Sequence, residues 1–289
     1  MAELQDMLHR RVQDLPVLPG VLVRLLALDP SSETYFDDVR DLVETDPAFA
    51  ARVLTAANAA ASAPRDPITS VGAAVTRLGS SGTADIITAL SFATVFVPRD
   101  AWEKSLWRHS IQVAVASRAV VAADRHQRVD KATAYTAGLL HDIGRFVMFH
   151  VADDQLRAVD EGDWDSPAAL IEAERTICGL AHTELGALAC RSWGLPEAVA
   201  DLVEHHHDHL VPAAGAVDPL VEAVQFADLA MFPSARPDTA SWLDAAPDVF
   251  DHEVLARAPH HLQDGRELRM LLGDVEAYAA DLCAALGLT

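Results

Sequence analysis

A histidine followed directly by an aspartate, His141-Asp142, stands inside the run AGLLHDIGRF at 137–146. Its chemistry depends on company, and the chain holds 13 histidines from which to supply it. His109 has Leu106 three residues before it and Val113 and Ala116 four and seven after, which puts it on the apolar face of a helix. His182 precedes Leu185, Gly186 and Ala189 at three, four and seven. Within HHHDH at 205–209 the helical phase separates the candidates. Val199, Leu202, Val203 and His206 share a face, while His205 falls with Asp201, so His206 is the inward histidine and His207 the alternative. Asp228 follows Val221, Val224 and Gln225 at seven, four and three. A lone inward histidine is most often a hydrogen-bonded core residue, and a lone buried carboxylate is costly unless paired or bound to a cation. Six such donors on separate helices read differently together. Imidazole and carboxylate without thiolate suit iron, manganese, zinc or another divalent ion, and the interior of a helical bundle is a usual place to hold one.

The elements that must position these groups are helices. Helical periodicity recurs along the chain and alternating β-branched runs are nearly absent, so the expected class is all-α. A short apolar helix follows LPVLP, and a second is expected from about 36 to 44. Asp46-Pro47 then offers a capping carboxylate and a proline at the first helical position of a helix reaching about residue 62. After APRDP, the run ITSVGAAVTRLG predicts a helix stopped by Gly79 in the left-handed conformation, and the next apolar helix ends at Pro98. Further helices are expected at 102–124, 130–142, 167–177, 183–193, 196–208 and 217–231. FPSARPDTASWLDAAPDVFDHEV reads as loop, and an amphipathic helix closes the chain. The expected organisation is an N-terminal helical lobe at 1–98, a metal-binding helical lobe at 99–232, and a loop and helix at 233–289 packed on the body.

Composition narrows the partners. The net charge is −21, with Lys104 and Lys131 the only lysines. Such a surface repels phosphate backbones and anionic lipid, which speaks against nucleic acid or membrane as direct partners. A small phosphorylated ligand in a local cationic or metal-lined pocket stays compatible with it. The apolar stretch from Ile86 to Val97 is too short to span a bilayer, and MAELQDMLHRR lacks the apolar region of a signal peptide, so a cytoplasmic location is expected. The 3 cysteines form no C-x-x-C pair and suggest neither a disulfide framework nor a thiolate zinc site.

Taken in order, His109, His141-Asp142 and Asp228 are similar to the H…HD…D signature of the HD superfamily of metal-dependent phosphohydrolases, and His182 and His206 resemble the extra ligands of its two-metal members. LPVLP, DPAFAARVLTAANAA, ITSVGAAVTRLG and AHTELGALACRSWGLPEAVADLVEHHHD resemble the HDOD family, the HD-related output domain of bacterial signalling proteins, to about residue 232. The resemblance implies a two-lobed helical bundle with one or two divalent ions in its second lobe, the choice among Fe, Mn, Zn and Mg being open. Asp142 would bridge two ions, with His109, His141 and Asp228 completing one set and His182 and His206 the other. It implies a regulatory protein acting through a small phosphorylated ligand or a signalling protein partner, with a homodimer compatible. The alternative is a metal-dependent phosphohydrolase acting on a nucleotide or other phosphoester, with Asp142 and Arg145 as catalytic candidates. Arg145 stands where catalytic cyclic-dinucleotide relatives often carry lysine, and a permanently charged guanidinium is a poor proton donor. HHHDHLVPAAG stands where those relatives carry Gly-Tyr-Pro, so cyclic-di-GMP hydrolysis is not implied.

Overall fold

Short apolar periodic runs, each closed by a capping residue, become helices joined by tight turns. The computed structural model describes residues 15, 18–59, 66–126, 128–162, 164, 167–208, 218–235 and 241–288, and among the described residues there is no strand. The first group of helices is α1 (Gly20–Leu26), α2 (Tyr35–Glu44), α3 (Pro47–Ala59) and α4 (Val71–Val95). α1, α2 and α3 all pack on α4, burying Leu22, Val39, Val43, Val53 and Val75. The Asp46 carboxylate accepts from the backbone N–H of Ala48 at 2.8 Å, as its place before Pro47 predicts. Gly79 interrupts α4 as expected but not in the expected conformation. With φ 75° and ψ 164° it is extended rather than left-handed helical, and the chain resumes its helix at once. Nothing lies near the position of a missing Cβ there, so the positive φ and not crowding is what calls for glycine.

The second group holds α5 (Ala101–Ala123), α6 (Lys131–Leu140), α7 (Ile143–Asp160), α8 (Pro167–Ile177), α9 (His182–Ser192), α10 (Glu197–His205) and α11 (Pro219–Ala235). Asp100 and Asp130 cap α5 and α6 by accepting from the N–H groups of Glu103 and Thr133 at 2.9 and 2.7 Å. α5 is the central helix, packed along α6 on one side and α11 on the other, while α9 lies against both α7 and α10. Two glycines permit the closest approaches. A Cβ at Gly138 would lie 2.7 Å from the Ser117 hydroxyl and 2.8 Å from the Val113 carbonyl, so α6 sits directly on the α5 backbone. A Cβ at Gly144 would overlap the His182 carbonyl, so the start of α7 sits on the start of α9. These glycines flank His141-Asp142, and the two contacts fix where that pair stands.

Sequence periodicity assigns no helix to 143–160, yet α7 fills it. Ile143 to Phe149 are all buried, Arg145 included, so this stretch has no polar face and shows no 3.6-residue alternation. Its axis breaks at Ala152, where φ is −150° and ψ 46°. A second correction falls in the segment read as loop, where α12 (Pro247–Glu253) forms with proline in its first turn and Phe250 as its buried anchor. The closing helix α13 (Gly265–Leu286) begins at a cap in which Asp264 accepts from Arg266 and Glu267, and ends at the left-handed Gly287. It lies against α5 and α3 together, and so touches both groups of helices.

Beneath α13 the two groups share a buried polar tie. Arg118 of α5 pairs with Asp85 of α4, Tyr278 of α13 donates to the same carboxylate at 3.1 Å, and the Tyr135 hydroxyl of α6 donates to the Asp85 carbonyl at 3.3 Å. No helix among the described residues is long and apolar enough to cross a membrane.

Candidate metal centre

The centre is built where α5, α6, α9, α10 and α11 converge. His141 stands at the C-terminal end of α6 and hands its Nδ1–H to the Gly138 carbonyl at 2.8 Å. A carbonyl only accepts, so the proton sits on Nδ1 and the lone pair on Nε2. That Nε2 is buried and has no hydrogen-bond partner among the described residues. It lies 3.6 Å from Oδ2 of Asp142 and 3.8 Å from Oδ1 of Asp228. Burial pushes the imidazole down to about 4, in spite of the two carboxylates, which keeps the ring neutral at physiological pH.

Asp142 occupies the turn between α6 and α7, and its two oxygens face different histidines. Oδ2 faces His141, while Oδ1 lies 3.2 Å from Nε2 of His182 and 3.6 Å from Nε2 of His206. Burial alone would raise this carboxyl, but the fields of His141 and His182 outweigh it and hold it well below the usual carboxylate range. His206 caps α10 and, like His141, donates Nδ1–H to a carbonyl three residues back, that of Val203 at 2.8 Å. His182 opens α9 and directs Nδ1 at the Glu174 carboxylate, 2.6 Å away. The consequence is an unusual pairing: Nε2 of His182 and Nε2 of His206 face each other at 3.4 Å. With both Nδ1 protons already committed, two lone pairs meet there, and only a proton or a cation between them makes the arrangement favourable.

His109 reaches across from α5, its Nε2 3.1 Å from Oδ1 of Asp228 and its Nδ1 buried without a hydrogen-bond partner among the described residues. Burial would lower its affinity for a proton, and Asp228 more than reverses that. Asp228 is itself held well below the carboxylate range, burial being outweighed by His109 and His141.

Among the described residues, two sets of potential ligand atoms, each within 4.8 Å of one another, result: Asp142, His182, His206 and His207 in one, and His109, His141 and Asp142 in the other. Asp142 belongs to both. Asp228 borders the second set through His109 and His141 without joining it. His207 stands beside His206 rather than in place of it, its ring 4.1 Å from that of His206 and 5.1 Å from that of His182. Burial and these two neighbours push His207 down to about 2, so it too is neutral. His205 points outward to Asp208, as its helical phase requires. The residues fit a divalent cation: imidazole nitrogens, those of His141 and His207 held neutral, converge on an ionised carboxylate that the interior would not otherwise tolerate.

Arg145 is buried and paired with Asp160 of its own helix, which Trp102 also binds by donating at 2.8 Å. Its Nε has no hydrogen-bond partner among the described residues. Burial works against its charge, while Asp160 and Asp142 hold it firmly protonated.

Sequence reasoning missed Glu174. It is fully buried in α8 and accepts from both the ring and the backbone N–H of His182. One signal pointed to it, its place four residues after Leu170, the other buried side chain of that helix.

A family model for the HDOD domain matches residues 15–209. The chain belongs to the HDOD family. An HDOD domain protein of unknown function from Geobacter sulfurreducens has the same fold, with a TM-score of 0.68, 25% sequence identity and coverage of 98% of this chain and 99% of that one. An uncharacterized protein of Treponema pallidum (strain Nichols) is 25% identical over 228 residues, covering 76% of this HDOD chain and 42% of that protein. Ribonuclease Y of Thermus thermophilus is 32% identical over 110 residues, 38% of this chain and 14% of that one. This HDOD chain thus spans less than half the length of either relative.

Proposed function

We propose that this HDOD protein is a signalling module that holds divalent metal in its second group of helices and couples a small phosphorylated ligand there to a protein partner. Asp142 bridges two cation positions in this reading. His109, His141 and Asp228 serve one, and His182 and His206, with His207 beside them, serve the other. The observation that carries it is the meeting of the His182 and His206 Nε2 atoms at 3.4 Å above the Asp142 carboxylate. When bound, a divalent ion supplies Lewis-acid charge for a phosphate oxygen. The protein's own contribution is to fix the lone pairs, keep Asp142 ionised and exclude water around it.

A second reading, an active phosphohydrolase, is favoured by one observation: the two oxygens of Asp142 face separate histidine sets, as a bridging ligand of a two-ion site requires. Against it, Arg145 is already committed to Asp160 and offers a phosphate little beyond its unpaired Nε. The ribonuclease named among the relatives does not transfer as a substrate class, since a chain of net charge −21 repels RNA. The test is turnover of nucleotides, cyclic dinucleotides and simple phosphoesters by the parent and Asp142→Ala, each supplied with Mn²⁺, Fe²⁺ or Mg²⁺. The signalling reading expects equal background rates in both. Metal-dependent turnover confined to the parent would replace it with the phosphohydrolase.

A further inference from the structure

His141, His182 and His206 each commit Nδ1, but not to the same kind of acceptor. His141 and His206 donate to the neutral carbonyls of Gly138 and Val203, whereas His182 donates to the Glu174 carboxylate. Glu174 has no exposed surface, and its Oε2 accepts twice from the same residue, at 2.6 Å from the ring and 2.8 Å from the backbone N–H. Its Oε1 is buried with no hydrogen-bond partner among the described residues. A wholly buried carboxylate is costly, and this one spends its hydrogen bonds on a single histidine.

We infer that Glu174 is a positioning residue that fixes the tautomer and strength of His182 as a donor and thereby sets how tightly the His182–His206 side of the centre takes a divalent cation. Three contacts hold His182 in place. Glu174 takes its ring and its backbone N–H, and Gly144 presses on its carbonyl. These contacts orient the ring, and its Nε2 lies 3.2 Å from Oδ1 of Asp142. An anion behind an imidazole also makes the far nitrogen the stronger donor, and loss of such an outer partner weakens metal binding by about 10- to 100-fold. Arg145 lies close enough to feel the charge of both Glu174 and Asp142, which offsets the accumulation of anions on this side.

The inference rests on the cation-binding reading above, and its test separates the two. The full chain, stripped with a chelator, is titrated with Co²⁺ by calorimetry and by the visible absorption of the bound ion, alongside Glu174→Gln and Glu174→Leu. Glutamine keeps the length and one acceptor but not the charge, so it serves as the conservative variant if leucine disturbs folding. Glu174→Gln is expected to weaken Co²⁺ binding about 10-fold or more and to shift the absorption band, with Glu174→Leu at or beyond the far end of the 10- to 100-fold range. Parent-like affinity and spectrum in both variants would overturn the role of Glu174 while leaving the metal centre standing. A parent that takes up no Co²⁺ would overturn the metal reading and this inference with it.

Discussion

Single residues decide where the candidate metal centre can form. Gly138 and Gly144 act by lacking a side chain: one lets α6 settle on the α5 backbone, the other lets α7 settle on His182. A methyl group at Gly138 would meet the Val113 carbonyl at 2.8 Å and the Ala114 Cα at 2.9 Å, backbone atoms that cannot swing aside. Gly138→Ala is accordingly expected to cost at least about 1–3 kcal/mol, read as a lower urea midpoint with an unchanged slope. Much of the site was legible at this scale. Helical phase alone distinguished inward His206 from outward His205, and it placed His109 and His182 on buried faces. Glu174 was missed: its place four residues after Leu170 hints at the buried face, but a glutamate in a helix ordinarily belongs to the solvated face and nothing local reveals that a histidine eight residues later will claim it. His207 was ranked behind His206 because its phase is less inward; the end of α10 at His205 frees the chain to bring both rings together.

Among the helices, most were legible, including α4, α5 and α6, in which stretches such as 82–92, 113–117 and 134–140 are buried on every side. α2, α9 and α10 have an exposed face and, like α5, fall near their expected places. α7 escaped because its first two turns are buried on every side and it follows α6 directly across His141-Asp142, although it carries Arg145 and packs on α9. The tie among Asp85, Arg118, Tyr135 and Tyr278 was equally invisible, since its members lie up to 193 residues apart. Tyr278→Phe removes one hydrogen bond to the buried carboxylate and is expected to lower stability by about 1 kcal/mol, measured by urea unfolding. The same tie has a pH signature. Burial raises the Asp85 carboxyl from 3.8 to about 6 against the opposing pull of Arg118. The folded state therefore binds this proton more tightly than the unfolded chain, and the group's contribution is fullest below pH 3.8 and declines until about pH 6. Subtracting the pH–stability curve of Asp85→Asn from that of the parent should isolate this decline. A difference that instead rises from pH 4 to 6 would contradict it.

At the scale of the molecule, composition and periodicity were enough to reach an all-α bundle, and the order of six residues along the chain was enough to suggest what it encloses. They could not show that two ligand sets meet at one aspartate, because that depends on α6 settling on α5 and α7 settling on α9 through glycines. α13 completes the body by packing on both groups of helices. If this body holds divalent metal through Asp142, as proposed, a cation bound only by the folded state must also stabilise it, by about 2.7 kcal/mol at 100 times its dissociation constant. The most direct measurement is therefore metal content after chelation, resupply with Mn²⁺, Fe²⁺ or Zn²⁺ and desalting, taken with the thermal midpoint, for the parent and Asp142→Ala. One or two ions per chain and a raised midpoint are expected in the parent, with both lost in Asp142→Ala. A parent that emerges without metal, or a variant that binds as the parent does, would contradict it.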